Sequence, residues 1–187
     1  MKSAIFAAGL IGAVSAASSD HWAVLVAGSK GFWNYRHQAD VHHANKILRD
    51  NGVPADQIIV MAFDDVATST QNPFPGELYN HPDGENVYDA DAVTYKTHSV
   101  SPNNFLEVLY GDALDVEFRP VLRSDENSKV FVFFSDHGAP GLLAFPSDYL
   151  YQDQLQAAID KMTEKKMFKE LVFYIEACES GSMFPNL

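Results

Sequence analysis

Four segments of this chain are apolar on consecutive residues rather than on alternate ones, and this restricts the fold more than any other feature. They are 21–28 (His21-Trp22-Ala23-Val24-Leu25-Val26-Ala27-Gly28), 57–63 with Ile58, Ile59, Val60 and Met61, 129–134 (Lys129-Val130-Phe131-Val132-Phe133-Phe134) and 171–175 (Leu171-Val172-Phe173-Tyr174-Ile175). A strand with one face in water alternates apolar and polar residues. A short unbroken run with a β-branched and aromatic bias predicts a strand buried on both faces. Between the first two runs, Val41, Ala44, Ile47 and Leu48 share one helical face over 39–50, and Asn51-Gly52 is a helix stop. Strand, helix, strand in that order predicts an α/β fold, a mainly parallel sheet with helices on both faces.

The rest of the chain fits that frame. Ser101-Pro102 is an N-cap and first-turn pair that opens a helix through Phe105, Leu106, Val108 and Leu109. Leu155, Ala158, Ile159 and Met162 mark a helix over 153–167, preceded by a short segment at 142–145. Residues 64–100 are rich in Asp, Asn, Pro and Gly without periodicity, and an irregular stretch of that length in a compact domain predicts a binding role.

With 187 residues, 47% of them hydrophobic, the chain can form one domain with a real core. A net charge of -12 argues against nucleic-acid partners and fits an acidic compartment, where protonation of carboxylates reduces self-repulsion. Met1-Lys2, an apolar run from Ala4 to Val14 and then Ser15-Ala16-Ala17 predict a signal peptide over 1–17 and entry into the secretory pathway. The competing interpretation is an N-terminal helix packed in the fold. The run is too short to span a bilayer, and no later segment reads as a membrane anchor.

The lone cysteine, Cys178, cannot form an internal disulfide, so it is buried and inert, intermolecular, or reactive. It follows the fourth apolar run as His137-Gly138 follows the third. The carboxyl edge of an open α/β sheet is where ligands bind. A thiol needs a neighbouring base to ionise near neutral pH, and backbone N–H groups beside glycines can hold an oxyanion. Taken singly, Cys178 and His137 have structural alternatives; their common placement favours a catalytic pair. His37, His42 and His43 are spaced by five and six residues, off the i, i+4 face that a helical metal site needs. Asp89-Ala90-Asp91 is too sparse for a calcium loop. No metal or cofactor is therefore expected.

Four ordered motifs carry a resemblance. His21-Trp22-Ala23-Val24-Leu25-Val26-Ala27-Gly28-Ser29, Asn34-Tyr35-Arg36-His37-Gln38-Ala39-Asp40, Asp136-His137-Gly138 and Glu176-Ala177-Cys178-Glu179-Ser180-Gly181-Ser182-Met183 resemble the legumain (asparaginyl endopeptidase, vacuolar processing enzyme) catalytic domain. Asp64-Asp65, Asn72-Pro73 and Pro75-Gly76 extend the similarity from about His21 to the end. The resemblance implies a caspase-like fold, a zymogen, and a thiol protease cutting after Asn, and after Asp at lower pH, through an acyl-thioester on Cys178. It implies His137 as base, Asn34 as its helper, and the N–H groups of Gly138 and Cys178 as oxyanion hole. Arg36, His37 and Glu176 match positions lining the asparagine pocket, and Asp136 matches a position where the family can form a succinimide. It further implies substrates with exposed Asn, cystatin-type inhibitors as partners, and a lysosomal, vacuolar or secreted location.

Two rivals stand beside this. The catalytic subunit of the glycosylphosphatidylinositol transamidase shares the Asn-Tyr-Arg-His element and the Cys/His pair but transfers its acyl group to an amine. A non-catalytic decoy or binding protein is the rival of another class; retention of Cys178, His137 and Asn34 together argues against it.

The sequence departs from the family at Leu187, where the catalytic domain is expected to continue with another strand, more of the pocket wall and a prodomain. Residues 18–187 therefore read as a truncated peptidase domain whose sheet ends on the strand carrying the nucleophile, leaving an apolar edge unpaired. The 187-residue chain made by itself is expected to be poorly soluble and weakly active or inactive. Size-exclusion chromatography, denaturant unfolding and peptide cleavage check this; a monomeric, cooperatively folding, fully active chain would contradict it.

Overall fold

The computed structural model describes residues 20–112 and 119–185. The expected signal peptide, 1–17, lies outside them. Strands β1 (His21–Ala27), β2 (Ile58–Ala62), β3 (Val93–Tyr95), β4 (Lys129–Ser135) and β8 (Glu170–Glu176) form one sheet in the order β3-β2-β1-β4-β8, with every neighbouring pair parallel. Three short strands, β5 (Gly138–Ala139), β6 (Leu142–Ala144) and β7 (Tyr149–Tyr151), form a separate antiparallel sheet just beyond β4.

Helices cover both faces, as the apolar runs require. Helix α1 (Tyr35–Asp50) places Val41 against Ala23, Leu25, Ala27 and Val60 on one face. On the other, α2 (Pro102–Leu109) and α3 (Gln152–Glu164) pack on Val24, Val26, Ile59, Val132 and Phe134. Phe105 is fully buried at the centre of that layer, with its ring 6.4 Å from Phe134, 6.0 Å from Phe145 and 6.4 Å from Phe173. Ser101 caps α2 as expected, its Oγ accepting from the Asn104 N–H at 3.2 Å. Among the described residues no helix is long and apolar enough to cross a membrane.

Three expectations need correction. Helix α1 starts at Tyr35, four residues before 39, because His37 and Gln38 are buried through hydrogen bonds that an apolar periodicity does not reveal. The irregular stretch 64–100 contains β3, whose three residues are too few to display a period; Val93 and Tyr95 are buried, and Thr94 Oγ1 donates to the Val60 carbonyl at 2.8 Å. The 171–175 run is not buried on both faces. Leu171, Phe173 and Ile175 are half-buried toward α2 and α3, but Val172 and Tyr174 are 45% and 61% exposed, because α1 packs over β1, β2 and β4 while β8 lies at the sheet edge. Among the described residues β8 has no strand on its outer side.

The 63–92 loop is held to α1 by His42. The Asp89 N–H donates to His42 Nδ1 at 3.3 Å, and the Tyr88 ring meets the imidazole edge-on at 5.0 Å. His42 Nε2 is buried without a partner among the described residues. Burial lowers the His42 pKa from 6.5 to about 4, against the opposing pull of Asp64 and Asp89. A folded-state pKa below the unfolded one means that the unfolded chain binds more protons between those values, so stability falls as pH drops from 6.5 toward 4. The expected loss is about 3 kcal/mol, complete below pH 4. His42→Gln, which keeps an acceptor but does not titrate, should flatten that part of the pH–stability curve; urea unfolding at several pH values measures it.

Candidate active site

The register of β4 against β8 builds this site. Ser135 pairs with Glu176, and the Asp136 N–H donates to the Glu176 carbonyl at 3.1 Å, so His137 and Cys178 leave two adjacent strands at the same level. Cys178 is exposed, which removes the inert buried thiol from the alternatives. Gly138 lies directly against the turn that carries it: a Cβ there would stand 2.6 Å from the Cys178 carbonyl oxygen and 3.1 Å from the Ala177 Cβ. Only glycine permits so close an approach.

Asn34 fixes the state of the imidazole. It sits between β1 and α1, and its Nδ2 donates to the Lys30 carbonyl at 2.9 Å. A carbonyl only accepts, so the amide orientation is set and Oδ1 faces outward, 2.8 Å from His137 Nε2. His137 Nε2 must therefore carry the proton, which leaves the lone pair of the neutral ring on Nδ1. The loop holding Asn34 is itself braced. Asp65 Oδ2 accepts from the Gly31 N–H, and Asp65 Oδ1 accepts from Gln38 Nε2, each at 2.8 Å.

Two backbone N–H groups at these strand ends are left without a ladder partner. The Ala144 N–H donates to the His137 carbonyl at 2.9 Å, which makes Gly138–Leu143 a pair of the non-hydrogen-bonded kind and leaves the Gly138 N–H outside the β5–β6 ladder. The Cys178 N–H has no hydrogen-bond partner among the described residues. The turn after Cys178 is tightly held: Glu179 is left-handed at φ 56°, Ser182 Oγ donates to the Glu179 carbonyl at 2.6 Å and accepts from the Gly141 N–H at 2.8 Å, and Met183 is buried.

Beneath the pair lies a buried polar layer whose arrangement sequence reasoning missed. His37 is 1% exposed; its Nδ1 lies 2.7 Å from Ser29 Oγ, and its ring meets that of His137 edge-on at 5.1 Å. It therefore lies beneath the site, because position 37 faces the sheet on the first turn of α1. Asp136 is buried as well. Its Oδ1 lies 3.2 Å from His37 Nδ1 yet has no satisfactory hydrogen bond, since that nitrogen is directed at Ser29. Gly28 makes room for the layer: a Cβ there would be 2.6 Å from the Ala144 carbonyl oxygen and 2.7 Å from Asp136 Oδ2.

His37, Asp136 and His137 each place one donor atom within 4.8 Å of the others, a grouping that could hold a metal ion. One nitrogen of each imidazole is already engaged, by Ser29 and by Asn34.

Arg36 and Glu176 are exposed. Glu176 borders a cleft of about 280 Å³ with Asp40, His43, Asn80 and Tyr174, and among the described residues no contact joins it to Arg36. Asp40 anchors that cleft, its Oδ2 accepting from Ser135 Oγ at 3.2 Å and its Oδ1 from Asn80 Nδ2 at 2.6 Å.

Residues 21–187 match a family model described as the Peptidase C13 family. The chain is 51% identical over 170 residues to legumain of Mus musculus, 46% over 169 to hemoglobinase of Schistosoma mansoni, and 46% over 169 to vacuolar-processing enzyme of Citrus sinensis. These matches cover 89%, 90% and 89% of this chain and 39%, 39% and 34% of the relatives, so the chain spans about two-fifths or less of each.

The geometry makes a direct prediction about the thiol. An unassisted cysteine is only about 1% ionised two units below its pKa, so His137→Ala should slow iodoacetamide alkylation of Cys178 at pH 6.5 by about 10- to 100-fold. Asn34→Ala, which frees the ring without removing it, should produce a smaller decrease. Equal rates in all three proteins would show that the imidazole does not assist the thiol.

Proposed function

Since the chain belongs to the peptidase C13 family, we propose that it is a cysteine endopeptidase, of the legumain type, hydrolysing peptide bonds after asparagine. The observation that carries this proposal is the shared level of Cys178 and His137 on paired strands, with Asn34 holding Nε2 and leaving Nδ1 as base.

The Cys178 thiol gives its proton to His137 Nδ1, and the thiolate attacks the carbonyl carbon. The oxyanion is received by the Gly138 and Cys178 N–H groups. The imidazolium returns its proton to the leaving amine as the C–N bond breaks, leaving an acyl-thioester on Cys178. Water, deprotonated by His137, then adds to the thioester carbonyl; collapse releases the acid and restores the thiol. Asn34 holds the ring through both transfers.

A side-chain carboxamide presents a donor and an acceptor, and a pocket carrying both charge signs satisfies both ends. Exposed Arg36 and Glu176 near the carboxyl edge of the sheet support that specificity; His37 and Asp136 contribute from the buried layer below. Asp accepted at lower pH fits the same pocket, because a protonated carboxyl imitates a carboxamide. Residues 1–17 serve as signal peptide and 18–187 belong to the peptidase domain. The acidic composition and the relative named vacuolar-processing enzyme support work in a lysosome-like or vacuolar compartment.

Peptides differing only in Asn, Asp, Arg or Leu before a reporter test this at mildly acidic pH, with Cys178→Ala as control. Weak cleavage after Asn that vanishes in the control is expected from a chain that spans about two-fifths of its relatives; a folded chain that cuts all four alike would refute the specificity. Gly138→Ala, whose new Cβ meets the Cys178 carbonyl oxygen at 2.6 Å, should lower kcat by about 100- to 1000-fold by misplacing one oxyanion donor.

A further inference from the structure

An aromatic hollow of about 440 Å³ is walled by Phe32, Tyr35, Pro73, Phe74, Tyr79 and Pro82. Phe32 and Tyr35 flank Asn34 in the chain, so the hollow continues directly from the residue that holds the catalytic imidazole. We infer that this hollow is a substrate subsite, taking an apolar side chain of the polypeptide three or four residues after the scissile bond. The inference rests on the peptidase function proposed above.

The sheet order supplies the direction. Cys178 follows β8, His137 follows β4, Phe32–Tyr35 follow β1, and Pro73–Pro82 follow β2. Along the carboxyl edge the sequence of sites is therefore thiol, imidazole, aromatic wall. The imidazole protonates the departing amine, so the C-terminal part of the substrate leaves on the His137 side. Continued in an extended conformation, it runs from β8 over β4 toward β1 and β2. Strands about 4.8 Å apart put the hollow roughly 10–15 Å from the thiol, and an extended peptide advancing about 3.3 Å per residue covers that in three or four residues.

The hollow is preformed. Asn72 is buried behind it, donating through Nδ2 to the carbonyls of Ala67 at 3.1 Å and Glu77 at 3.0 Å while its Oδ1 accepts from the Phe74 N–H at 3.0 Å. The Tyr79 N–H donates to the Tyr35 hydroxyl oxygen at 2.6 Å, and the Tyr79 hydroxyl is bonded to Glu77. Rigid walls avoid the ordering cost that weakens flexible sites. The Tyr35 hydroxyl proton has no partner among the described residues and can be given to a peptide carbonyl. Phe74 remains 56% exposed, a large apolar ring left in water at the rim.

The test uses the full chain carrying Cys178→Ala and octapeptides with Asn at the fourth position, binding being read by calorimetry or by the exposed Trp33 beside the wall. Leu or Phe at the seventh or eighth position should bind about 10- to 100-fold more tightly than Gly there. Phe74→Ser should abolish that preference and Phe74→Leu should restore most of it, with thermal melting confirming that both variants fold. A preference that survives Phe74→Ser, or one confined to the first three positions, would overturn the subsite. Replacing Asn by Arg in the same peptides separates the two proposals: loss of Asn dependence with the apolar preference intact refutes the specificity proposed above and leaves the subsite standing.

Discussion

The in-register parallel pairing of β4 with β8 is the constraint on which the site depends. Seven consecutive pairs run from Lys129–Glu170 to Ser135–Glu176, so any shift of one residue would move His137 off the level of Cys178 and turn its side chain to the opposite face. The register is fixed by packing on the α2–α3 face, where Val132, Phe134, Phe173 and the edge of Phe105 interlock. The apolar core thus does more than stabilise the domain; it sets the relative level of His137 and Cys178, which follow different strands. Gly138 and Gly28 complete the arrangement by permitting backbone approaches that no larger residue allows.

A second set of contacts ties the opposite end of the sheet to the same machinery. Asp65, just after β2, grips both the Gly31 N–H and Gln38, and so holds the loop that presents Asn34. Asn72 does the same for the following turn, with one side chain meeting three carbonyls and one N–H. These polar braces replace the apolar packing that an irregular loop cannot provide, and they keep its backbone groups satisfied. The single Asp65 side chain thereby couples the position of Asn34, and through it the His137 imidazole, to the fold of the segment that follows β2.

Much of this was legible in the sequence because burial on both sheet faces writes itself as unbroken apolar runs. The four longer strands, α2 and the placement of His137 and Cys178 at strand ends followed from that pattern alone. What stayed hidden was buried by hydrogen bonding. His37 and Gln38 look like surface residues until Ser29 and Asp65 are seen to receive them, so the start of α1 and the layer under His137 left no periodic trace. β3 escaped for want of length, and the exposure of Val172 and Tyr174 escaped because a run of apolar residues does not state where in a sheet its strand lies. The motif resemblance pointed to Arg36 and Glu176 together, whereas the aromatic hollow left no compositional signal beyond scattered prolines and rings.

The bond between Asn34 and His137 joins residues 103 positions apart. Local elements such as α1 or α3 can form early and independently, but contacts across so long a separation come late, after the chain has paid the entropy of closing large loops. The bond that holds the imidazole with Nδ1 free thus forms only late in folding, as does its alignment with Cys178. On the function proposed above, the reactive arrangement is therefore completed by the last steps of folding rather than by any local element.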